Sequence, residues 1–127
     1  MAAAQPMAPS FDVQLVQVGR EFLLRVQGPV DFSEVTELQR QFQKMHGPRT
    51  KLAVLDLSQL AFISQPGLAA IVQFARKVAR GCGEVILAAV PHELRGAFLT
   101  DDLEGLVTLS ETVEEALNGS WLGLMLD

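Results

Sequence analysis

The chain has little cysteine and no excess of positive charge. Its single cysteine, Cys82, has no partner for an intramolecular disulfide. No set of cysteine, histidine and acidic residues stands at metal-ligand spacing, so a metal centre is not expected. A reducing compartment, the cytoplasm, fits this usage. Lys and Arg number 10 against 15 Asp and Glu, giving a net charge of −5 and a pI near 4.9. Such a surface repels nucleic-acid phosphates and lacks the basic face that a membrane-surface helix needs. No uninterrupted apolar run approaches the roughly 18 residues of a membrane span. The opening, Met1 to Ser10, has neither a basic n-region nor an apolar h-region, and reads as a loose tail rather than a leader.

What is present is enough apolar material for one core. The 127 residues are 49% hydrophobic and 20% charged, the proportions of an ordinary globular domain. Residues 12–18 alternate imperfectly, with Val13, Leu15 or Val16, and Val18 apolar, which predicts a half-buried strand. Gly19-Arg20 makes a turn into a second strand, Glu21 to Gln27, with Phe22, Leu24 and Val26 on one face. So tight a connection implies an antiparallel hairpin. Gly28-Pro29 is expected to end it. Asp31 or Ser33 can then cap a helix from Glu34 to Met45, whose Val35, Leu38 and Phe42 recur at helical spacing.

The run Lys51 to Leu57 is almost continuously apolar, as in a central strand covered on both faces. A helix from Pro66 to Arg80 follows, with Leu68, Ile71, Val72, Ala75 and Val78 facing inward, and Gly81-Cys82-Gly83 ends it. Glu84 to Val90 reads as another buried strand, Pro91 to Phe98 as a short helix, Leu106 to Leu109 as an edge strand, and Glu111 to Leu117 as a last helix. Strands alternating with helices require a mainly parallel sheet with crossover helices, to which the opening hairpin adds an antiparallel edge. The expected organisation is a tail over 1–10, one α/β domain over 11–117, and a tail over 118–127. The apolar Trp121, Leu122, Leu124 and Met125 of the second tail suit packing on the domain or on a partner.

This order resembles the STAS domain family, which includes the bacterial anti-sigma factor antagonists. Particular residues carry the resemblance. Gly28-Pro29-Val30-Asp31 stands where the family has Gly, a variable residue, Leu and Asp. Val54-Leu55-Asp56-Leu57-Ser58 is similar to its central strand, which ends in Asp-Leu-Ser. Phe62-Ile63 and Gly67-Leu68 match the flanks of its signature loop, and Thr112 to Leu117 resembles its last helix. The resemblance implies a mixed, mainly parallel sheet with an N-terminal hairpin and about four helices.

In antagonists of this family the signature loop reads Phe-Ile-Asp-Ser-Ser/Thr-Gly-Leu, and a partner kinase, itself the anti-sigma factor, phosphorylates the Ser after the Asp. Here Ser64 stands in the acid's slot, Gln65 in the phosphoacceptor's and Pro66 in the second hydroxyl's. Gln65 cannot accept a phosphoryl group. The resemblance therefore implies a partner-binding surface of Asp31, Ser64, Gln65, Pro66, Gly67 and Leu68 without the usual change of about −1.5 to −2 in charge. Ser64 keeps a displaced hydroxyl. It is expected to cap the helix, and phosphorylation there would require a shifted loop. A second departure is Asp101-Asp102-Leu103, where the family has Thr-Gly-Leu, with Thr100 one position away.

Other chemistry finds little support. Asp31 and Asp56 are two carboxylates with nothing to split their acidities into an acid and a base, and read as a helix cap and a strand-end turn. His46 near a helix end and His92 after Pro91 are isolated. Cys82 reads as a packing residue near a cap. Asp101, Asp102 and Glu104 form an acidic cluster that is either a solvated face or a means of steering a basic partner.

The expectation is a bacterial cytoplasmic signalling module rather than an enzyme, one that needs no cofactor and regulates transcription. It would bind an ATPase-fold anti-sigma factor or serine kinase and so free a sigma factor. The alternative is a STAS accessory subunit docked on a lipid-transporting ABC system. The edge from Val13 to Val18 could pair across a homodimer or simply be covered.

Overall fold

A computed structural model describes residues 10–45 and 49–117. The chain runs β1 (Asp12–Val18), β2 (Glu21–Val30), α1 (Phe32–Lys44), β3 (Leu52–Asp56), β4 (Leu60–Ile63), α2 (Gln65–Arg80), β5 (Glu84–Ala88), a 3-10 turn (His92–Leu94), α3 (Arg95–Phe98), β6 (Val107–Ser110) and α4 (Val113–Leu117). The sheet order is β1-β2-β3-β5-β6, and β4 pairs with β2. Among the described residues only β1–β2 is antiparallel; the other pairs are parallel.

The expected hairpin, alternation and four helices are all there. Two features of β2 differ from the expectation. Gly28-Pro29 does not end the strand, which continues to Val30, and residues 60–63 form a strand the apolar pattern left unassigned. The reason is a change of partner. Glu21 to Arg25 pair with β3, but Gly28 to Val30 pair with β4. Between them the register shifts at Gly28/Pro29, Gly28 takes φ +81, and its N–H donates to Gln59 O at 2.9 Å. Glycine bears that left-handed conformation without a Cβ penalty. Proline is tolerated at such a bulge although it donates nothing.

The central strands β3 and β5 and most of β2 are buried on both faces, as their apolar runs require. On one face Phe22, Leu24, Val26, Ala53, Leu55, Val85 and Leu87 meet α1 and α2. There the Phe42 and Phe74 rings stack with centroids 4.4 Å apart. On the other, Leu23, Val54, Ile86 and Ala88 meet Ala116 and Leu117 of α4. Val13 and Leu15 of β1 pack against the first cluster, while Val16 and Val18 stay exposed.

Cys82 is a correction. It is exposed, not a packing residue, and takes φ +65. The Cys82 N–H donates to Ala79 O at 2.9 Å and the Gly83 N–H to Val78 O at 3.0 Å. With Gly81 as C-cap this is a Schellman closure of α2, and its left-handed position is held by the cysteine rather than by either glycine. Cys82→Gly is therefore expected to stabilise the domain in urea denaturation by about 0.5–1 kcal/mol, because relief of the left-handed strain exceeds the added entropy of the unfolded chain.

Candidate functional site

The carboxyl ends of the parallel strands carry the N-termini of both long helices. The β2–β4 pairing brings these together, with Val30 opposite Ile63 and the Ser64 N–H donating to Val30 O at 2.8 Å. Asp31 and Ser64, each one residue beyond its strand, thus begin α1 and α2 side by side.

Asp31 is the cap of α1, and Ser33 is not. Its carboxylate accepts from the Phe32 N–H at 2.8 Å and also from the Glu34 N–H, while the Glu34 carboxylate accepts from the Asp31 N–H at 2.9 Å, and this reciprocal Asp31–Glu34 pair makes a capping box. The Ser33 hydroxyl donates to the other Glu34 oxygen at 2.9 Å. The Ser33 and Asp31 bonds hold the Glu34 carboxyl below its ordinary value. A depressed carboxylate stabilises the fold above its unfolded pKa and loses that contribution as the pH falls through the folded value.

Ser64 caps α2: its hydroxyl accepts from the Gly67 N–H at 3.3 Å and is buried. Pro66 has no N–H, and the Leu68 N–H is already given to Ser64 O at 3.0 Å. Of the first-turn donors, the Gln65 N–H is left. A helix N-terminus suits an anion because it presents several free N–H groups, and here most are absent or used. Gly67 is buried, and a Cβ there would meet Ile63 Cγ1 at 2.8 Å, so α2 lies close against β4. Of the five loop positions Gln65 is exposed, Pro66 and Leu68 are half-buried, and Ser64 and Gly67 are buried.

Two aromatic side chains complete this edge. Phe32 is 71% exposed at the first position of α1, and Phe62 of β4 is 47% exposed. The sequence pattern passed over Phe32, because three residues before Val35 it continues the apolar stripe. It escapes burial because the helix begins beyond the sheet edge. The signal that could have found it is its place immediately after the cap.

The remaining candidates lie elsewhere. Asp56 is buried on β3, where one oxygen accepts from the Ser58 N–H at 3.0 Å and the other pairs with Arg25 Nε at 3.2 Å. It turns the strand end and forms no pair with Asp31. His92 begins the 3-10 turn and is exposed. Asp101, Asp102 and Glu104 are exposed, while Leu103 between them is buried. His46, Trp121, Leu122, Leu124 and Met125 lie outside the described residues. Among the described residues no group of three or more His, Cys, Asp or Glu could hold a metal, and no helix is long and apolar enough to cross a membrane.

A mixed sheet with a swivelling second strand, and two capped helix starts at one edge, define a small α/β domain with a built surface. The sequence profile of the STAS domain matches residues 12–116, so the chain belongs to the STAS domain family. Among solved structures it is similar to an anti-sigma factor antagonist from Mycobacterium paratuberculosis, at 19% identity over 86% of this chain and 92% of that one, with a TM-score of 0.74. It is also similar to the Bacillus cell fate determinant SpoIIAA in its phosphorylated form (20% identity, 84% and 97% coverage, TM-score 0.68). A sulfate transporter family protein from Wolinella succinogenes shares the fold at 18% identity, 87% and 91% coverage, and a TM-score of 0.67.

Proposed function

We propose that this chain is a protein–protein interaction regulator of the anti-sigma factor antagonist kind, working without a phosphorylation switch. Its partner is an ATPase-fold anti-sigma factor or serine kinase, and the contact is made by Asp31, Phe32, Phe62 and Gln65, with Ser64, Pro66, Gly67 and Leu68 shaping the loop. The observation that carries this reading is the Ser64 N–H to Val30 O bond of 2.8 Å, which sets the Phe32 start of α1 beside the Gln65 start of α2. Exposed aromatic groups next to hydrogen-bonding side chains suit a protein partner. The working unit is residues 11–117, in the bacterial cytoplasm, with no cofactor and no catalysis of its own.

The lack of a switch rests on chemistry. Gln65 has no hydroxyl, and the Ser64 hydroxyl is buried and engaged by Gly67. The module then competes for its partner by mass action, and its abundance sets the output. The test compares wild type with Gln65→Ser as tagged baits in lysate of the native host. Both are expected to retain the same ATPase-fold partner, with phosphate found by mass spectrometry on Gln65→Ser alone. Stoichiometric phosphate on wild-type Ser64 would refute the missing switch. Recovery of a transporter ATPase in place of an anti-sigma factor would favour the accessory-subunit reading instead.

A further inference from the structure

Two strands end the path β1-β2-β3-β5-β6, and one of them is guarded. β6 is short, Val107–Ser110, and the loop before it folds onto it: Glu104 bridges Val107, and the Val107 N–H donates to Leu103 O at 3.2 Å. β1 is longer, Asp12–Val18, and among the described residues it pairs with β2 alone. Its register with β2 runs from Asp12–Gln27 to Val18–Glu21 without a bulge. No charged residue and no proline stands between Asp12 and Arg20. Edge strands are ordinarily kept from pairing by shortness, lysine, proline or a bulge, and β1 has none of these.

The turn determines which groups face outward. Gly19 has φ +62, and Val18 stands opposite Glu21 across a two-residue loop. In such a hairpin the pair flanking the loop is hydrogen-bonded, and bonded pairs recur at every second residue. Val18, Val16, Gln14 and Asp12 thus use their backbone groups on β2. Val13, Leu15 and Gln17 direct theirs away from the sheet. The exposed Val16 and Val18, at 47% and 41%, share one face of the strand.

We propose that β1 is a self-pairing edge, joining antiparallel to β1 of a second copy with Val16 opposite Val16. In this register Leu15 of each copy exchanges backbone hydrogen bonds with Gln17 of the other. The valines meet at the closely spaced, non-bonded position. Charge complementarity selects this occupant and this register: Asp12 of each copy falls beside Arg20 of the other, once at each end. Arg20 is exposed, and only its Nε is engaged within the chain among the described contacts, by Arg49 O at 2.8 Å. The two-fold axis stands normal to a continuous sheet. It keeps α1 and α2 of both copies on one face and turns the two Phe32 edges to opposite ends. A dimer of this form is bivalent, and its two partner surfaces do not compete for space. The inference does not depend on which partner they bind.

Sedimentation velocity across roughly 1–500 µM tests it at the affinities expected of a small interface. The wild-type chain is expected to reach dimer mass within that range. Val16→Lys sets like charges opposite each other and is expected to raise the dimer Kd at least about tenfold, with an unchanged circular dichroism spectrum because Val16 is exposed. Asp12→Arg is expected to weaken the dimer, and adding Arg20→Asp to restore it. Leu15 and Gln17 amides are expected to lose hydrogen-exchange protection on dilution. A monomer at every concentration overturns the proposal, as does a dimer equally tight in Val16→Lys. Failure of the charge swap to restore association overturns the register.

Discussion

Phe32→Ala is expected to weaken partner binding about 30-fold, or roughly 2 kcal/mol, while leaving the thermal midpoint unchanged. The two halves of this expectation have separate causes. The Phe32 ring is 71% exposed and contributes little to the core. Its role in the cap of α1 is carried by its backbone N–H, which alanine keeps. Alanine is also the better helix former, so the first turn does not suffer. At a protein interface, by contrast, a rigid aromatic anchor is the residue type whose truncation costs most. Titration calorimetry against the recovered ATPase-fold partner measures the loss, and a melting curve checks the fold. Unchanged affinity would remove Phe32 from the contact and leave Asp31, Phe62 and Gln65 to carry it.

Gly83→Ala is expected to cost about 3 kcal/mol and lower the thermal midpoint by about 10 °C, with the affinity of the folded fraction unaffected. A Cβ on Gly83 would stand 2.1 Å from Thr50 O and 2.8 Å from Val78 Cγ1. The first of these is backbone, and it cannot easily retreat. Thr50 is fully buried, and its hydroxyl donates to Met45 O. On the other side the Gly83 N–H closes α2 onto Val78 O, and the next residue starts β5 with the Glu84 N–H on Lys51 O at 3.0 Å. Relieving the clash must therefore break the helix closure or the start of the β3–β5 ladder. Urea denaturation reads the difference. A loss under about 1 kcal/mol would mean that the Thr50 segment yields without losing its hydrogen bonds.

These two positions mark different limits of sequence reading. Gly81-Cys82-Gly83 is legible as a helix stop, because glycine there is common. Which member takes the left-handed conformation and which one faces a neighbouring backbone depends on the Thr50 segment leading into β3, which lies far away in sequence. The result is the reverse of the simple expectation: Cys82 bears φ +65, and Gly83 is needed for space. Phe32 is likewise visible as an apolar residue in register with Val35. Its exposure follows from how far α1 projects past the sheet.

The local pattern alone determined the alternation of strands and helices, the opening hairpin and the cap at Ser64, and it left the cap of α1 open between Asp31 and Ser33. Each of these depends on residues a few positions apart, where periodicity and side-chain chemistry act directly. Only the tertiary structure decided that β2 passes Gly28 and changes partner from β3 to β4, so that Asp31 and Ser64 begin their helices next to each other. A four-residue strand such as Leu60–Ile63 is too short to carry a periodic signal, and it becomes a strand because the outer half of β2 offers it unpaired backbone groups.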